Sequence, residues 1–169
     1  SIAYLLPAIF FAVQNHTPLV ISTRTKNLQD QLIEKDIPLL KGLLPFDFNV
    51  IDIKGRENYL CIRKMERTIR EVELSGSESD KINAVPLLVW ASLTTQGDIN
   101  ELHSATFKAF HGRIKSQSET CLNDKCQYFH RCFALTRRRE SKKADIIITN
   151  HALLFADMAS ENNLLPSYQ

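Results

Sequence analysis

Apolar runs open and close this chain, and between them the pattern loses its rhythm. Residues 2–13 are apolar almost throughout and predict a buried helix from Ser1 to Val13. Thr17-Pro18 breaks it, and Leu19-Val20-Ile21-Ser22 follows as a short apolar strand. Thr25 is a suitable cap for a helix whose apolar positions Leu28, Leu32 and Ile33 share a face, ending before Pro38. Asn49-Val50-Ile51-Asp52-Ile53 reads as a second strand, closed by Lys54-Gly55. From Asn58 to about Lys143 no regular alternation of strand and helix is visible. There the polar residues 75–80 read as a loop, Val85 to Leu93 as a short helix, and Thr95-Gln96-Gly97-Asp98 as a turn. Ala144 to Ile148 is a third strand and His151 to Met158 a helix. Strands alternating with helices predict an α/β fold with an open parallel sheet, and the interruption predicts an insert within it.

Composition adds bounds rather than detail. The 169 residues are 44% hydrophobic and 24% charged, as expected of a folded domain. The apolar start is about a dozen residues long, against roughly 20 needed to span a bilayer. Pro7 interrupts it, and neither a basic flank nor a small-residue cleavage site accompanies it. Because the apolar pattern already runs at Ser1, which is not methionine, the chain is expected to be cut from a longer protein. Five glycines, with no glycine-rich phosphate loop, do not describe a self-sufficient nucleotide-binding protein.

Charge is uneven. Residues 103–143 hold ten Lys/Arg and three Asp/Glu, a formal +7, so the remainder totals −5 against the overall +2. Arg137-Arg138-Arg139 with Lys142-Lys143 form the densest part, and Phe107, Phe110, Tyr128, Phe129 and Phe133 are interleaved. Cations suit phosphates and flat rings suit bases, so the segment reads either as a nucleic-acid surface or as a solvated basic helix face.

The four cysteines, Cys61, Cys121, Cys126 and Cys132, are separated by 59, four and five residues (121−61−1, 126−121−1, 132−126−1). Without an export signal a reducing compartment is expected, where clustered thiols more often hold metal than pair as disulfides. Paired zinc knuckles use shorter, matched spacers, whereas an iron–sulfur cluster tolerates uneven ones because each iron takes one thiolate. Iron–sulfur, zinc and unliganded buried cysteines all stay open on spacing alone. His103, His111 and His130 read as surface or phosphate-contacting groups beside four available thiols.

Several segments, in order, resemble stretches of one known family. Ser1-Ile2-Ala3-Tyr4-Leu5-Leu6-Pro7-Ala8 resembles the stretch following the Walker A Gly-Lys. Leu19 to Thr25, with Leu28-Gln29 and Gln31-Leu32, resembles the next helicase motif. Lys54 to Cys61 resembles the approach to the iron–sulfur domain. Gly97 to Leu102, the cysteine triplet, and Ala144 to Leu154 with its Thr149-Asn150-His151-Ala152-Leu153-Leu154 follow in the family's order, and the family that the whole resembles is the DinG-type helicases, relatives of the XPD family.

The resemblance implies a RecA-like parallel-sheet motor domain, residues 1–57 and 144–169, interrupted by a mostly helical iron–sulfur insert at 58–143. It implies a superfamily 2 helicase that moves 5′ to 3′ on DNA, single-stranded and forked duplex, in repair or replication. Cys61, Cys121, Cys126 and Cys132 would hold a 4Fe–4S cluster, and Ser1 would be the hydroxyl coordinating the Mg2+ of ATP. Thr23 and Arg24, Lys54, Arg56 and Tyr59, Arg137 and Arg138, and Asn150 with His151 are the expected nucleic-acid contacts. A bacterial cytoplasmic, nucleoid-associated monomer with no membrane partner is expected. The Walker A Gly-Lys and the Asp-Glu-Ala-His box would fall just outside Ser1 and Gln169, so these residues alone are not expected to hydrolyse ATP. The alternatives are a cluster that senses redox state and a zinc-bound nucleic-acid module without helicase activity.

Overall fold

Three parallel strands form the sheet, in the order β1-β3-β2, in a computed structural model that describes residues 2–102, 105–159 and 165. Ser1 lies outside the described residues. Strand β1 is Leu19–Thr23, β2 is Val50–Asp52 and β3 is Ile146–Asn150. Parallel strands bury both faces, which is why β3 is a continuous Ile146-Ile147-Ile148-Thr149 run with no exposed position. Ile146 and Ile148 face a core built with Leu5, Ile9 and Ala12 of helix α1 (Ile2–Asn15). Ile147 faces the opposite core with Ile51, Ile53 and Leu153.

The chain divides into two compact units, residues 1–54 with 137–169, and 55–136. The second unit interrupts the first between β2 and β3. Expected inner limits at 57/58 and 143/144 thus differ from the observed 54/55 and 136/137, and the basic residues from Arg137 onward group with the sheet.

Helix α2 (Lys26–Gln31) starts as the cap predicts, with Thr25 Oγ1 accepting from Leu28 N. The expected stop before Pro38 is corrected: a π-turn at Leu32–Asp36 leads directly into α3 (Ile37–Leu43). Ile37 N–H reaches back to the Leu32 carbonyl, and Pro38 is the second residue of α3, where its missing N–H disrupts least.

Residues 62–93 are also more regular than the sequence suggests. Helix α4 (Ile62–Ser75) was not expected, and α5 (Glu78–Leu93) begins inside the supposed 75–80 loop. Its start is a reciprocal cap: Ser77 Oγ accepts from Asp80 N, and the Asp80 carboxylate accepts from Ser77 N. With α6 (Ala105–Ile114), these helices bury Leu60, Val72, Ala84, Leu87, Ile99, Phe110 and Ile114 in a core of their own. Helix α7 (Phe133–Ser141) follows the cysteines, and α8 (His151–Met158) follows β3. No helix among the described residues is long and apolar enough to cross a membrane.

Candidate metal centre

Cys61 is fixed before any side chain is considered. Isolated antiparallel bridges pair Tyr59 with Asp98 and Leu60 with Lys115, and Cys61 N–H donates to the Ile114 carbonyl at 2.8 Å. The Cys61 carbonyl then accepts from Met65 N at 2.9 Å, opening α4. Gly97 makes this crossing possible: its φ is +65°, and a Cβ there would lie 2.3 Å from the Phe133 ring. Phe133 directly follows Cys132, so the glycine also admits the last cysteine's neighbour.

The other three thiols sit on a winding segment held by short turns. Asn123, in the left-handed region at φ +47°, reverses the chain, and its N–H donates to Cys121 Sγ at 3.4 Å. Cys126 N–H bonds the Asn123 carbonyl, a second turn spans Phe129–Arg131, and the Cys132 carbonyl accepts from Thr136 N at the start of α7. The result is one cavity lined by Cys61, Cys121, Cys126 and Cys132, with Ile62, Leu122, Phe129 and Leu135 making its walls apolar. All four cysteines are half-buried and none is in a disulfide.

Burial pushes the Cys132 thiol up; the Leu135 backbone and the Arg56 charge oppose this, while Cys121 and Cys61 add to it. Among the described residues no group of three or more His, Cys, Asp or Glu side chains is set to hold a single metal ion.

A second constellation lies at the carboxyl ends of the strands, where open parallel sheets usually present ligand-binding loops. Thr23 of β1 and Asn150 of β3 are register partners there. Arg24 is exposed. Thr23 is buried, its hydroxyl donating to the Thr25 carbonyl at 2.9 Å. Asn150 caps α8 by accepting from Leu153 N at 2.8 Å. His151 Nδ1 and Ser22 Oγ share a 2.8 Å hydrogen bond, with Phe155 tilted against the imidazole. Ser22 was not singled out in the sequence; a serine on an apolar strand carries no signal until the fold supplies its partner. Gln29 is likewise buried, its amide donating to the Ile53 and Ile148 carbonyls and so bracketing two strand ends.

Other candidates are engaged within the protein. Lys54 pairs with Asp30 at 3.1 Å, and Arg137 with Asp52 at 2.7 Å. Tyr59 is buried, while Arg56 and Arg138 are half-buried. The basic segment is partly neutralised too, by Arg113–Glu71 and Lys115–Glu57 pairs. The aromatic residues read as base-stacking surfaces serve differently: Phe110 is core, Phe107 and Phe133 pack against it, Phe129 walls the cavity, and Tyr128 donates its hydroxyl to Glu66.

No family model matches the chain. It is 34% identical over 160 residues to the ATP-dependent DNA helicase YoaA of Haemophilus influenzae, covering 94% of this chain and 24% of that protein. The 3′-5′ exonuclease DinG of Bacillus subtilis is 32% identical over 98% of this chain and 18% of its own length. The ATP-dependent helicase DinG of Mycobacterium tuberculosis is 31% identical over 100% of this chain and 28% of its own. The chain thus spans about a quarter of the length of these relatives.

Proposed function

As a DinG-type segment, this chain, we propose, is the part of an ATP-dependent DNA helicase motor that carries a 4Fe–4S cluster in its inserted unit. The observation that carries the reading is the convergence of four thiols from a 72-residue span (132−61+1) on one apolar cavity. The donor set fits: thiolates are what iron–sulfur clusters select, and each iron takes one. When bound, the cluster would join Cys61 at the head of α4, through one thiolate bond, to the 121–132 segment, held through three.

The chain's own residues supply the rest. The sheet sets Thr23-Arg24 and Asn150-His151 side by side at its carboxyl edge, with Arg24 as the exposed cation for a DNA backbone. Ser22 fixes the His151 ring, and the Asn150 cap fixes the first turn of α8. Single-stranded and forked duplex DNA is the proposed substrate, 5′ to 3′ the direction, and repair or replication the setting. A monomer at the bacterial nucleoid is the proposed state. Ser1 is the proposed Mg2+-coordinating hydroxyl, and ATP turnover is assigned to the whole motor rather than to these residues alone.

The test is anaerobic purification of the full-length protein and its Cys126→Ser variant. About four irons and four sulfides per chain, with broad visible absorbance, are expected of the first. Loss of both, and of unwinding, is expected of the second. Stoichiometric zinc in a colourless protein would replace the reading with a zinc-bound nucleic-acid module.

A further inference from the structure

Helix α4 is tied to the cysteine segment by three polar struts, all from its first turns. Arg63 donates to the Thr120 carbonyl at 2.6 Å, Lys64 Nζ to Gln117 Oε1 at 2.5 Å, and Glu66 accepts from the Tyr128 hydroxyl. Their partners bracket the thiols. Gln117 and Thr120 precede Cys121, whereas Tyr128 lies between Cys126 and Cys132. Cys61 heads the helix that sends out all three. The segment from 117 to 132 contains no helix longer than the two 3-10 turns at Asn123–Lys125 and Phe129–Arg131, beside turns closed by Cys121 N–H to the Ser118 carbonyl and Phe129 N–H to the Cys126 carbonyl. Its entry is held beside Cys61 by the Cys61 N–H to Ile114 and Ser116 N–H to Tyr59 bonds, and its exit by Phe133 against Gly97. The position of the stretch between them is what the struts fix, and that position decides whether four sulfurs share a cavity.

We propose that Glu66, Lys64 and Arg63 are positioning residues that hold the 117–132 segment against α4, so that the four-thiol cavity is formed before any metal group enters. The proposal rests on the cluster reading for its purpose, though not for its geometry. The Arg63 and Glu66 struts are exposed and the Lys64 strut is part-buried, and a lone exposed pair contributes little. Three from one helix to both sides of one loop act together, because each shortens the free loop the others must restrain. Residues behind metal ligands typically change metal affinity by about tenfold or more when removed, by orienting the donors. Glu66–Tyr128 differs from such a contact only in acting through the loop rather than through one ligand.

The experiment uses the full-length protein and its Glu66→Leu, Tyr128→Phe and Lys64→Met variants, with the Glu66→Leu/Tyr128→Phe double variant. Amide exchange is read on the metal-free proteins, and iron release to a chelator on the loaded ones. Expected are faster exchange confined to 117–132, unchanged protection at Phe110 and Ile114, and iron release about tenfold faster. The double variant should release iron no faster than the worse single one. Unchanged exchange across 117–132 in all variants overturns the proposal, whatever the iron content. A parent protein with no iron or sulfide rejects the cluster reading, and the exchange result then decides the struts alone.

Discussion

Gly97 is the residue on which the cavity's near side turns. A side chain there would meet both a left-handed backbone and the Phe133 ring. The backbone alone costs roughly 1–2 kcal/mol for a non-glycine residue. Gly97→Ala is therefore expected to destabilise the second unit by at least about 1 kcal/mol, seen as a lower urea midpoint, and to reduce iron loading by moving Phe133 beside Cys132. Equal midpoints and equal iron would refute that. Asn150→Ala should cost about 1 kcal/mol through the lost α8 cap, seen as a lower melting temperature. Because the same residue is a proposed DNA neighbour, Asn150→Asp, which keeps a capping oxygen, separates the two roles: stability returns while DNA affinity falls. At this scale the sequence displays cysteines and glycines, whose chemistry is intrinsic. It does not display that Lys115 is matched by Glu57, or Arg137 by Asp52, since those partners are set by tertiary contact.

Helix α4 shows how an element escapes a reading by hydropathy. Ile62, Met65, Ile69 and Val72 follow helical spacing, and Arg63, Lys64, Glu66, Arg67, Arg70, Glu71 and Glu73 between them make the helix strongly amphipathic. Its low mean hydropathy hides it beside the apolar runs of the sheet. That apolar stripe is part of the inserted unit's core, with Val72 buried and Met65 and Ile69 packed against it. The sheet strands were plain by contrast, because burial on both faces leaves uninterrupted apolar runs. Acid should act on the insert's helices. The Arg67 and Arg113 guanidiniums hold the Glu71 carboxyl below its ordinary value, Lys115 does so for Glu57, and the Ser77 hydroxyl and backbone do so for Asp80. A depressed folded value means that each contribution is present above the unfolded carboxyl range near pH 4 and is lost as pH falls through the folded value. Urea midpoints for the second unit should be level from pH 7 to 5 and decline below about 4; a rise on acidification would contradict these pairings.

Each unit of the molecule has a core, so removal of a metal group need not unfold both. Stripping iron is expected to raise amide exchange within 55–136 while Ile146 to Thr149 keep their protection. Loss of protection in β3 as well would mean that the two units unfold as one. The interruption of the sheet was visible in the sequence as a change of pattern, but its limits were not, because Arg137 belongs to the sheet's unit through Asp52. The strand order has a consequence in time. Strand β3 lies between β1 and β2, yet of these three strands it leaves the ribosome last, 127 residues after its partner on one side (146−19) and 96 after the other (146−50). Until then two apolar strands wait without the ladder that joins them, while the unit encoded between them is complete enough to collapse on its own core. Synthesis thus asks the guest to fold before the host, and leaves β1 as the stretch most in need of a chaperone during translation.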